Sequence, residues 1–433
     1  MNFRVSLQGF RMSESRANQL VEHFFRNQFG QLVSRFVRQF GVQHFDLIED
    51  SVQAALADAL RSWKIKGAPD NPTGWVYRVA RNKMIDAIRR QKTLQQKAEE
   101  LAEYISSPGS DPKSDFEWNQ HEFRDDVLRM MFACCHPALP VDSKIPLTLK
   151  IICGFSETEI ARGLLLTEET ARKRIYRAKQ SLIQNQVSLD LPEGQQLLER
   201  LNAVHNVLYL MFNEGYCSSG TDHAIRQDVC EEAARLCHLL TESQNCQSDE
   251  SFALLALMLF HACRFQSRIG QEGELILLED QDRKAWDRRM MNRAFEFFAR
   301  SAECETPSSY HLEAAIAMNH CRAKRFEDTN WDAIVQLYDQ LVRIRPSPVY
   351  RLNRAIAIGQ RDGPENAIAE LMDVGREPML IHSHLLPAAM GEMYRLKGDV
   401  NLAKEHFEEA VRKAITPHEK AILLRRIKQC QID

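Results

Sequence analysis

Apolar residues recur along almost the whole chain at steps of three and four residues, and alternation with a period of two is rare. Such spacing places the apolar side chains on one stripe of an α-helix, so it predicts an all-α protein. The 433 residues exceed what one hydrophobic core usually organises, which indicates two or three domains. Four loop-like stretches with prolines or glycines interrupt the helical pattern. They are Lys64–Gly74, Ser106–Ser114, Ser188–Gly194 and Gly270–Asp280.

These interruptions divide the chain into its predicted domains. We expect a first helical domain at 14–100, a linker at 101–114, a second helical domain at 115–185 and a long helical region at 195–433. Residues before Ser13 fit no element, and translation could start at Met1 or at Met12.

The charge is distributed unevenly. Residues 1–185 contain 27 Lys and Arg against 22 Asp and Glu, a net charge of +5, whereas the remainder contains 29 against 37, a net charge of −8. A basic half joined to an acidic half is typical of a protein that binds nucleic acid through one part only. Charge alone does not establish nucleic-acid binding.

The cysteines and the apolar runs exclude several protein classes. No run of about 18 apolar residues is present, and Phe3–Phe10 is too polar for a signal peptide, so we expect a cytoplasmic protein without a membrane-spanning helix. The 11 cysteines form no C-x-x-C pair, which favours free thiols. Adjacent side chains such as those of Cys134-Cys135-His136 rarely bind one ion together, so we predict no metal and no cofactor.

Two neighbouring helices of the first domain differ in charge. Phe45–Trp63 has a predicted core stripe, with acidic residues lying off it. Trp75–Arg90, after the Pro/Gly loop, has a strongly basic outer face that suits a phosphate backbone, although a solvated charged helix would look alike. The predicted stripe of the first helix comprises Ile48, Val52, Ala55, Leu56, Ala59, Leu60 and Trp63.

The second domain contains the pattern of a helix-turn-helix. Ser156 and Glu159 can form a capping box for one helix, and Thr167 can cap the next. In the second helix the apolar residues form a narrow seam, and five cations should project from the rest without acidic partners. The seam comprises Ala171, Ile175, Ala178 and Leu182, and the cations are Arg172, Lys173, Arg174, Arg177 and Lys179.

Both patterns resemble a known family. The order D-x-x-E-D-x-x-Q…W, a loop, then W-V-Y-R-V-A-R-N resembles region 2 of extracytoplasmic-function sigma factors, and E-x-T-x-x-x-R-x-x-R-A resembles their region 4. The resemblance implies a subunit that brings RNA polymerase core to promoter DNA. Leu139-Pro140 matches a family motif, but the arginine that usually follows is absent. The packing around that motif is therefore left open.

The resemblance also implies roles for particular residues. The polymerase β′ clamp would bind Asp46, Glu49, Asp50 and Gln53. The single-stranded −10 element would contact Lys64, Lys66, Asn71, Tyr77, Arg78 and Arg81, although Tyr77 is equally compatible with core packing, which is favoured for Trp75. The −35 element would contact Glu169, Thr170, Arg172, Lys173, Arg174 and Arg177. The helix Phe123–Cys135 would pack beneath and help to bind the β flap.

The remainder of the chain predicts a helical array. Small and aromatic residues within His384–Ala414 have the spacing of a tetratricopeptide repeat, and Trp331–Ile344 and Pro348–Asp373 suggest further helix pairs. This part resembles the long C-terminal extension of one sigma-factor subgroup. The residues with that spacing are Gly391, Tyr394, Ala403, Phe407 and Ala410.

Two polar runs in this region, Phe212–Tyr216 and Leu278–Arg283, contain more polar residues than a core requires. A catalytic site is one interpretation, but no nucleophile–base pair or metal spacing is present. We therefore predict helix caps and an intramolecular interface, no enzyme activity, and an acidic C-terminal domain that packs on the sigma half and controls it. The residues considered for catalysis were His205, Glu214, His223, Glu279, Asp280 and Asp282.

Three functions remain open at this stage. The favoured function is a sigma factor that binds RNA polymerase core and promoter DNA. A second is a helix-turn-helix regulator that does not engage polymerase, in which Asp46–Trp63 is only structural. A third is a repeat scaffold that has lost DNA binding, against which the arginines 172, 174 and 177 argue.

Overall fold

A computed structural model describes residues 28–66, 69–93, 120–164, 166–216, 226–270, 274–304 and 306–430. These residues are mainly helical, and within them the only strand-like pairing is one bridge between Ile269 and Leu275. They form two compact units. Unit 1 ends at Val204 and excludes 162–165, and unit 2 comprises 162–165 and everything from His205 onward. The predicted all-α class is confirmed.

Three helices begin unit 1. They are α1 over 28–40, α2 Phe45–Lys66 and α3 Pro72–Thr93. Gly41 separates the first two with a φ of 91°, a conformation that glycine adopts without strain. Large apolar side chains from all three helices fill the core. The fully buried ones include Leu32, Phe36, Phe45, Ile48 and Met84.

The predicted stripe of α2 is correct at Ile48, Val52, Ala55 and Ala59, all of which are 0% exposed. It is wrong at Leu60, whose side chain is largely exposed. Glu49, expected on the surface, is buried instead. A periodic pattern cannot anticipate this burial, because it depends on a partner from a distant part of the chain.

The predicted loop between α2 and α3 is shorter than expected, because α2 continues to Lys66 and α3 begins at Pro72. Proline fits the first helical turn, where its missing N–H would have no partner. Asn71 caps this helix, since its Oδ1 accepts the Gly74 N–H at 2.8 Å. The polar loop chemistry therefore serves to begin a helix.

The rest of unit 1 contains α4 Gln120–Cys134, α5 Val141–Ile151, α6 Glu157–Gly163, α7 Glu168–Gln184 and the first part of α8 Gly194–Tyr216. The helix α4 is held against α1 by Asp126, which is 1% exposed and lies 3.0 Å from Arg35 and 2.7 Å from Arg38. Gly30 of α1 allows a close approach, because a Cβ there would clash with the Ile152 carbonyl. Within α1 the Ser34 hydroxyl donates a hydrogen bond to the Gly30 carbonyl at 2.7 Å.

Unit 2 continues with helix pairs. After the end of α8 they are α9 Gln227–Glu242, α10 Asp249–Ala262, α11 Phe265–Arg268, α12 Arg288–Ser301, α13 Ser309–Arg322, α14 Trp331–Ile344, α15 Pro348–Asp362, α16 Pro364–Val374, α17 Pro378–Ile381, α18 Leu385–Lys397, α19 Val400–Lys413 and α20 Pro417–Gln429. Every residue of α10 from Ser251 to Phe260 is buried, so neighbouring helices surround this helix in the core. The predicted repeat at His384–Ala414 is the pair α18 and α19.

Gly391 explains how closely that pair packs. A Cβ at Gly391 would lie 2.8–3.0 Å from ring atoms of Phe407, so only glycine fits without movement of the ring. Ala403, Phe407 and Ala410 are buried on the facing helix, and Tyr394 stacks on His406 at 5.2 Å between ring centroids. A search of the described residues for a helix able to cross a membrane finds none.

Candidate nucleic-acid and polymerase interface

The helix α7 begins as the capping pattern predicts. The Thr167 hydroxyl accepts the Thr170 N–H at 3.1 Å, and in the preceding helix Ser156 and Glu159 exchange hydrogen bonds at 2.8 and 3.2 Å. Two locally encoded caps therefore fix both helices of the helix-turn-helix. The predicted seam is confirmed, because Ala171, Ile175, Ala178 and Leu182 are all buried.

We expected the cations of α7 to have no acidic partners, but several of them form ion pairs. Arg172 lies 2.9 Å from Glu157, Lys173 lies 2.6 Å from Glu169, and Arg174 lies 3.2 Å from Asp142. All three pairs are on the surface, where such a pair stabilises by roughly 0–1 kcal/mol. Phosphate oxygens could therefore replace these carboxylates at little cost.

Arg177 and Tyr176 extend the exposed surface that α7 presents at Arg172 and Lys173. Arg177 is exposed and has no hydrogen-bond or ion-pair partner among the described residues. Tyr176 is 59% exposed, which is unusual for so large a ring. Tyr176 is not among the predicted site residues, although its position directly after the seam residue Ile175 indicates that it lies outside the buried seam.

Lys179 is the second departure from the predicted cationic face. Its side chain is only 9% exposed, and its Nζ lies 2.8 Å from Glu49 Oε2 and 2.9 Å from Asp46 Oδ1. Burial acts to lower the pKa of Lys179, but the charge and hydrogen bonding of Glu49 and Asp46 outweigh it and raise the pKa. The ammonium is therefore charged, and it joins α7 to α2 within unit 1.

The acidic face of α2 carries all four residues expected to bind polymerase. Asp46, Glu49, Asp50 and Gln53 follow each other at steps of three, one and three residues, so they share one side of the helix. Asp50 and Gln53 are exposed, whereas Lys179 covers Glu49 and is bonded to Asp46. The structure thus brings the four together, and because the Asp46 side chain is still 79% exposed, only Glu49 is covered.

The residues expected at the −10 element have different environments. Arg78 is exposed and Arg81 half-buried, and neither has a hydrogen-bond or ion-pair partner among the described residues. Asn71 is exposed, and its amide Nδ2 remains free beside the capping oxygen. The side chains of Lys64 and Lys66 lie outside the described residues.

Tyr77 requires a correction. Its ring is 7% exposed and stacks on Phe36 at 5.1 Å between centroids, and its hydroxyl donates to Gln39 at 3.4 Å. Desolvation by burial raises the pKa of the phenol. In this conformation no ring face is available for a base, so we remove Tyr77 from the predicted contacts. Trp75 is half-buried and meets Trp63 edge-on at 5.8 Å, in agreement with core packing.

The candidate metal group and the candidate catalytic residues remain without a chemical site. Cys134 and Cys135 are buried thiols, and desolvation raises the pKa of Cys135 to about 12, far from the thiolate that a metal needs. No group of three potential ligands occurs among the described residues. His205 is fully buried and bonds to Ser251 at 2.7 Å. His223 lies outside the described residues.

A capped, basic second helix in a helix-turn-helix, in one unit with an acidic and a basic helix, defines an all-α DNA-binding protein. Comparison with known families extends this result. Residues 25–93 match Sigma-70 region 2, residues 129–182 match Sigma-70 region 4, and residues 200–302 match a family of unknown function. An uncharacterized protein of Rhizobium meliloti is 35% identical over 395 residues, which cover 91% of this chain and 92% of that protein.

The chain therefore belongs to the sigma-70 family, as a sigma factor of the extracytoplasmic-function type with a long C-terminal helical extension. Members of this family are DNA-binding regulators and not enzymes, and their partners are RNA polymerase core and promoter DNA.

Proposed function

We propose that this sigma factor reads promoters with the exposed face of α7 and with the start of α3, while the acidic face of α2 binds the β′ clamp. The main support is the ion pairing on α7. Three of its cations form only weak surface ion pairs, and Arg177 has no partner among the described residues. An arginine fork suits guanine O6 and N7, whereas lysine usually contacts phosphate. In this proposal Glu169, Thr170, Arg172, Lys173, Arg174 and Arg177 contact the −35 element.

The −10 element has a smaller set of contacts in this proposal. Arg78 and Arg81 provide charge without an acidic partner, and the free amide of Asn71 can bond to a base edge. Lys64 and Lys66 keep the role that the resemblance implies. The helix α4 remains the candidate for the β flap.

The contact of Lys179 with Asp46 and Glu49 defines a closed state of unit 1. Lys179 covers Glu49 and bonds to Asp46, so polymerase can bind Glu49 only after this contact opens. An open cavity of about 710 Å³ lies close to this contact, lined by residues from 37–43 and 183–190. We propose that core enzyme binds the open state and shifts the population toward it.

A transcription assay tests the proposed function. Purified full-length protein and core polymerase should give run-off transcripts from genomic fragments that neither gives alone. Arg177→Ala should reduce the transcript, since it removes the free arginine of α7. Arg376→Ala, which removes an 84% exposed side chain in unit 2, is the matched control and should leave the transcript unchanged. Normal activity of the Arg177 variant would contradict the assignment of α7.

The alternative function is a DNA-binding regulator that does not engage polymerase. Gel filtration distinguishes the two, because a sigma factor co-elutes with core enzyme. Substitution of Asp50, which is exposed on the acidic face of α2, by Lys should abolish that co-elution. DNA binding without any association with core enzyme would favour the alternative.

We also propose that unit 2 regulates the sigma half. The support is the fusion itself and the opposite net charge of the two halves. A chain that ends after Val204 keeps the hydrogen bond from Arg200 to the Phe132 carbonyl and loses the rest of the extension. Promoter activity in a reporter strain should differ between this chain and the full-length protein, and equal activity would reject a regulatory role.

A further inference from the structure

The two polar runs of the C-terminal extension come together in unit 2. Tyr216 ends the first run at the end of α8, and Arg283 ends the second. Between them in sequence lie Arg264, which directly precedes the short helix α11, and Arg268, which is the last residue of α11. We call Arg264, Arg268 and Arg283 the arginine cluster.

Tyr216 receives two of these arginines. The Arg264 Nη2 donates to the Tyr216 hydroxyl at 2.5 Å and to His261 Nδ1 at 3.0 Å. The Arg268 Nη1 donates to the Tyr216 carbonyl at 3.0 Å, and its guanidinium carbon lies 3.6 Å from the centre of the Tyr216 ring. Contacts with Tyr216 therefore hold both Arg264 and Arg268 in place.

Arg283 reaches the same neighbourhood through Trp286. The guanidinium carbons of Arg283 and Arg264 lie 4.8 and 5.8 Å from the centre of the Trp286 ring. The Arg283 Nη1 donates to the carbonyls of His320 and Ala323. Its Nη2 is buried with no hydrogen-bond partner, and so is the indole Nε1 of Trp286. Two buried donors are thus left unused beside the cluster.

No carboxylate of the described residues forms an ion pair with any arginine of the cluster, although Arg264 and Arg283 are each only 8% exposed. Other arginines of unit 2 do have acidic partners, as Arg354 does with Asp339 at 2.6 Å and Arg395 with Glu392 at 2.6 Å. A buried cation without a counter-charge is costly, and proteins usually pair it or bind an anion there. Arg283 interacts only at longer range with the carboxylates of Glu327 and Asp328, so a bound anion would stabilise the cluster.

The neighbouring histidines do not add charge. Desolvation lowers the pKa of His320 to about 3, helped by the positive charges of Arg264 and Arg283. Desolvation, together with the charges of Arg264 and Arg268, also lowers the pKa of His261 well below its usual value. Both imidazoles are neutral at physiological pH, so His261 can accept the bond from Arg264. The positive charge of the site belongs to the three guanidinium groups alone.

We propose that the arginine cluster is a binding site for a small oxyanion, supplied by a phosphate or carboxylate group of a ligand. The unused guanidinium donors and the indole N–H are the groups that bind such an anion, and arginine forks match its geometry. This assignment concerns unit 2 and does not depend on the proposed role in transcription. It gives the two polar runs a common purpose that neither helix caps nor catalysis supplies.

Calorimetric titration of the full-length protein with inorganic phosphate tests this site, with sodium chloride at equal ionic strength as the blank and acetate as a second titrant. We expect saturable binding of phosphate, of acetate, or of both, and the stronger titrant identifies the ligand group. Arg268→Gln should weaken binding roughly tenfold or more, because a hydrogen bond to a charged group is lost. Arg300→Gln is the matched control, since Arg300 also lies over an aromatic ring, 4.0 Å from the centre of Phe252, but outside the cluster.

Circular dichroism checks that the Arg268 variant folds. If it does not, Arg268→Lys keeps the charge, loses the fork, and should bind with intermediate affinity. The proposal is overturned if neither anion binds the wild type beyond the chloride blank. It is equally overturned if a folded Arg268 variant binds as tightly as the wild type, or if the Arg300 control loses the same affinity.

Discussion

Replacement of Lys179 by Met should open unit 1 and strengthen its binding to core polymerase. Met keeps most of the side-chain volume but removes the ammonium that bonds Glu49 at 2.8 Å and Asp46 at 2.9 Å. Glu49 would then be buried with both oxygens unpaired, since its Oε1 already has no hydrogen-bond partner. Breaking a buried ion pair costs roughly 3–5 kcal/mol, and because Asp46 is largely exposed we use the lower end, about 3 kcal/mol.

That free energy corresponds to a shift of on the order of 100-fold toward the open state. If only the open state binds, the apparent dissociation constant is the intrinsic one divided by the open fraction, so affinity for core enzyme should rise by up to about 100-fold. Fluorescence anisotropy of labelled protein titrated with core enzyme measures this. Hydrogen exchange of residues 45–53 should become faster in the free variant, because the contact that protects α2 is lost.

Lys173→Met is the matched control for this experiment. It removes the same charge from the same helix, but Lys173 is 63% exposed and pairs only with Glu169. Its affinity for core enzyme in the absence of DNA should equal that of the wild type. Unchanged or weaker binding by the Lys179 variant, together with unchanged exchange of α2, would refute the closed state as a barrier to polymerase.

Three further predictions concern other parts of the chain. Arg177→Ala should weaken promoter binding by about 1–3 kcal/mol in a gel-shift titration, and an unchanged affinity would exclude a base contact. The pKa of His205 is lowered to about 4 by burial, so the unfolded state takes up a proton first as the pH falls below about 6.5; stability should therefore drop by roughly 2 kcal/mol near pH 5, and thermal unfolding without this loss would contradict the buried neutral imidazole. Gly391→Ala should cost roughly 1–3 kcal/mol in urea unfolding because its Cβ meets the Phe407 ring, and an unchanged unfolding free energy would contradict the close packing of α18 on α19.

The locally encoded features of this fold could be predicted from the sequence. Thr167, Ser156 and Glu159 form the predicted caps because a cap needs only the residues of its own helix turn. The seam of α7 is correct for the same reason, since its spacing follows the helix period. Proline at position 72 begins a helix that we expected to start at Trp75, because loop and helix-start signals share the same residues.

Long-range features could not be predicted in this way. In the sequence Lys179 looks like one more surface cation of α7. Its burial depends on Glu49, which lies 130 residues away in sequence. The sequence pattern is compatible with Tyr77 either packing in the core or stacking on a DNA base. Only its stacking on Phe36 in the folded protein decides between the two. The arginine cluster combines Arg264 and Arg268 at the two ends of α11 with Arg283 from the segment before α12, and it contacts Tyr216 of the distant helix α8, so no local pattern in the sequence reveals it.

Run-off transcription with purified core polymerase tests the central claim most directly. The wild type should initiate at specific sites on genomic fragments, Arg177→Ala should lose those transcripts, and Lys179→Met should reach half-maximal transcription at a lower protein concentration than the wild type. A chain that produces no specific transcript with core enzyme under conditions in which a control sigma factor does would contradict the account.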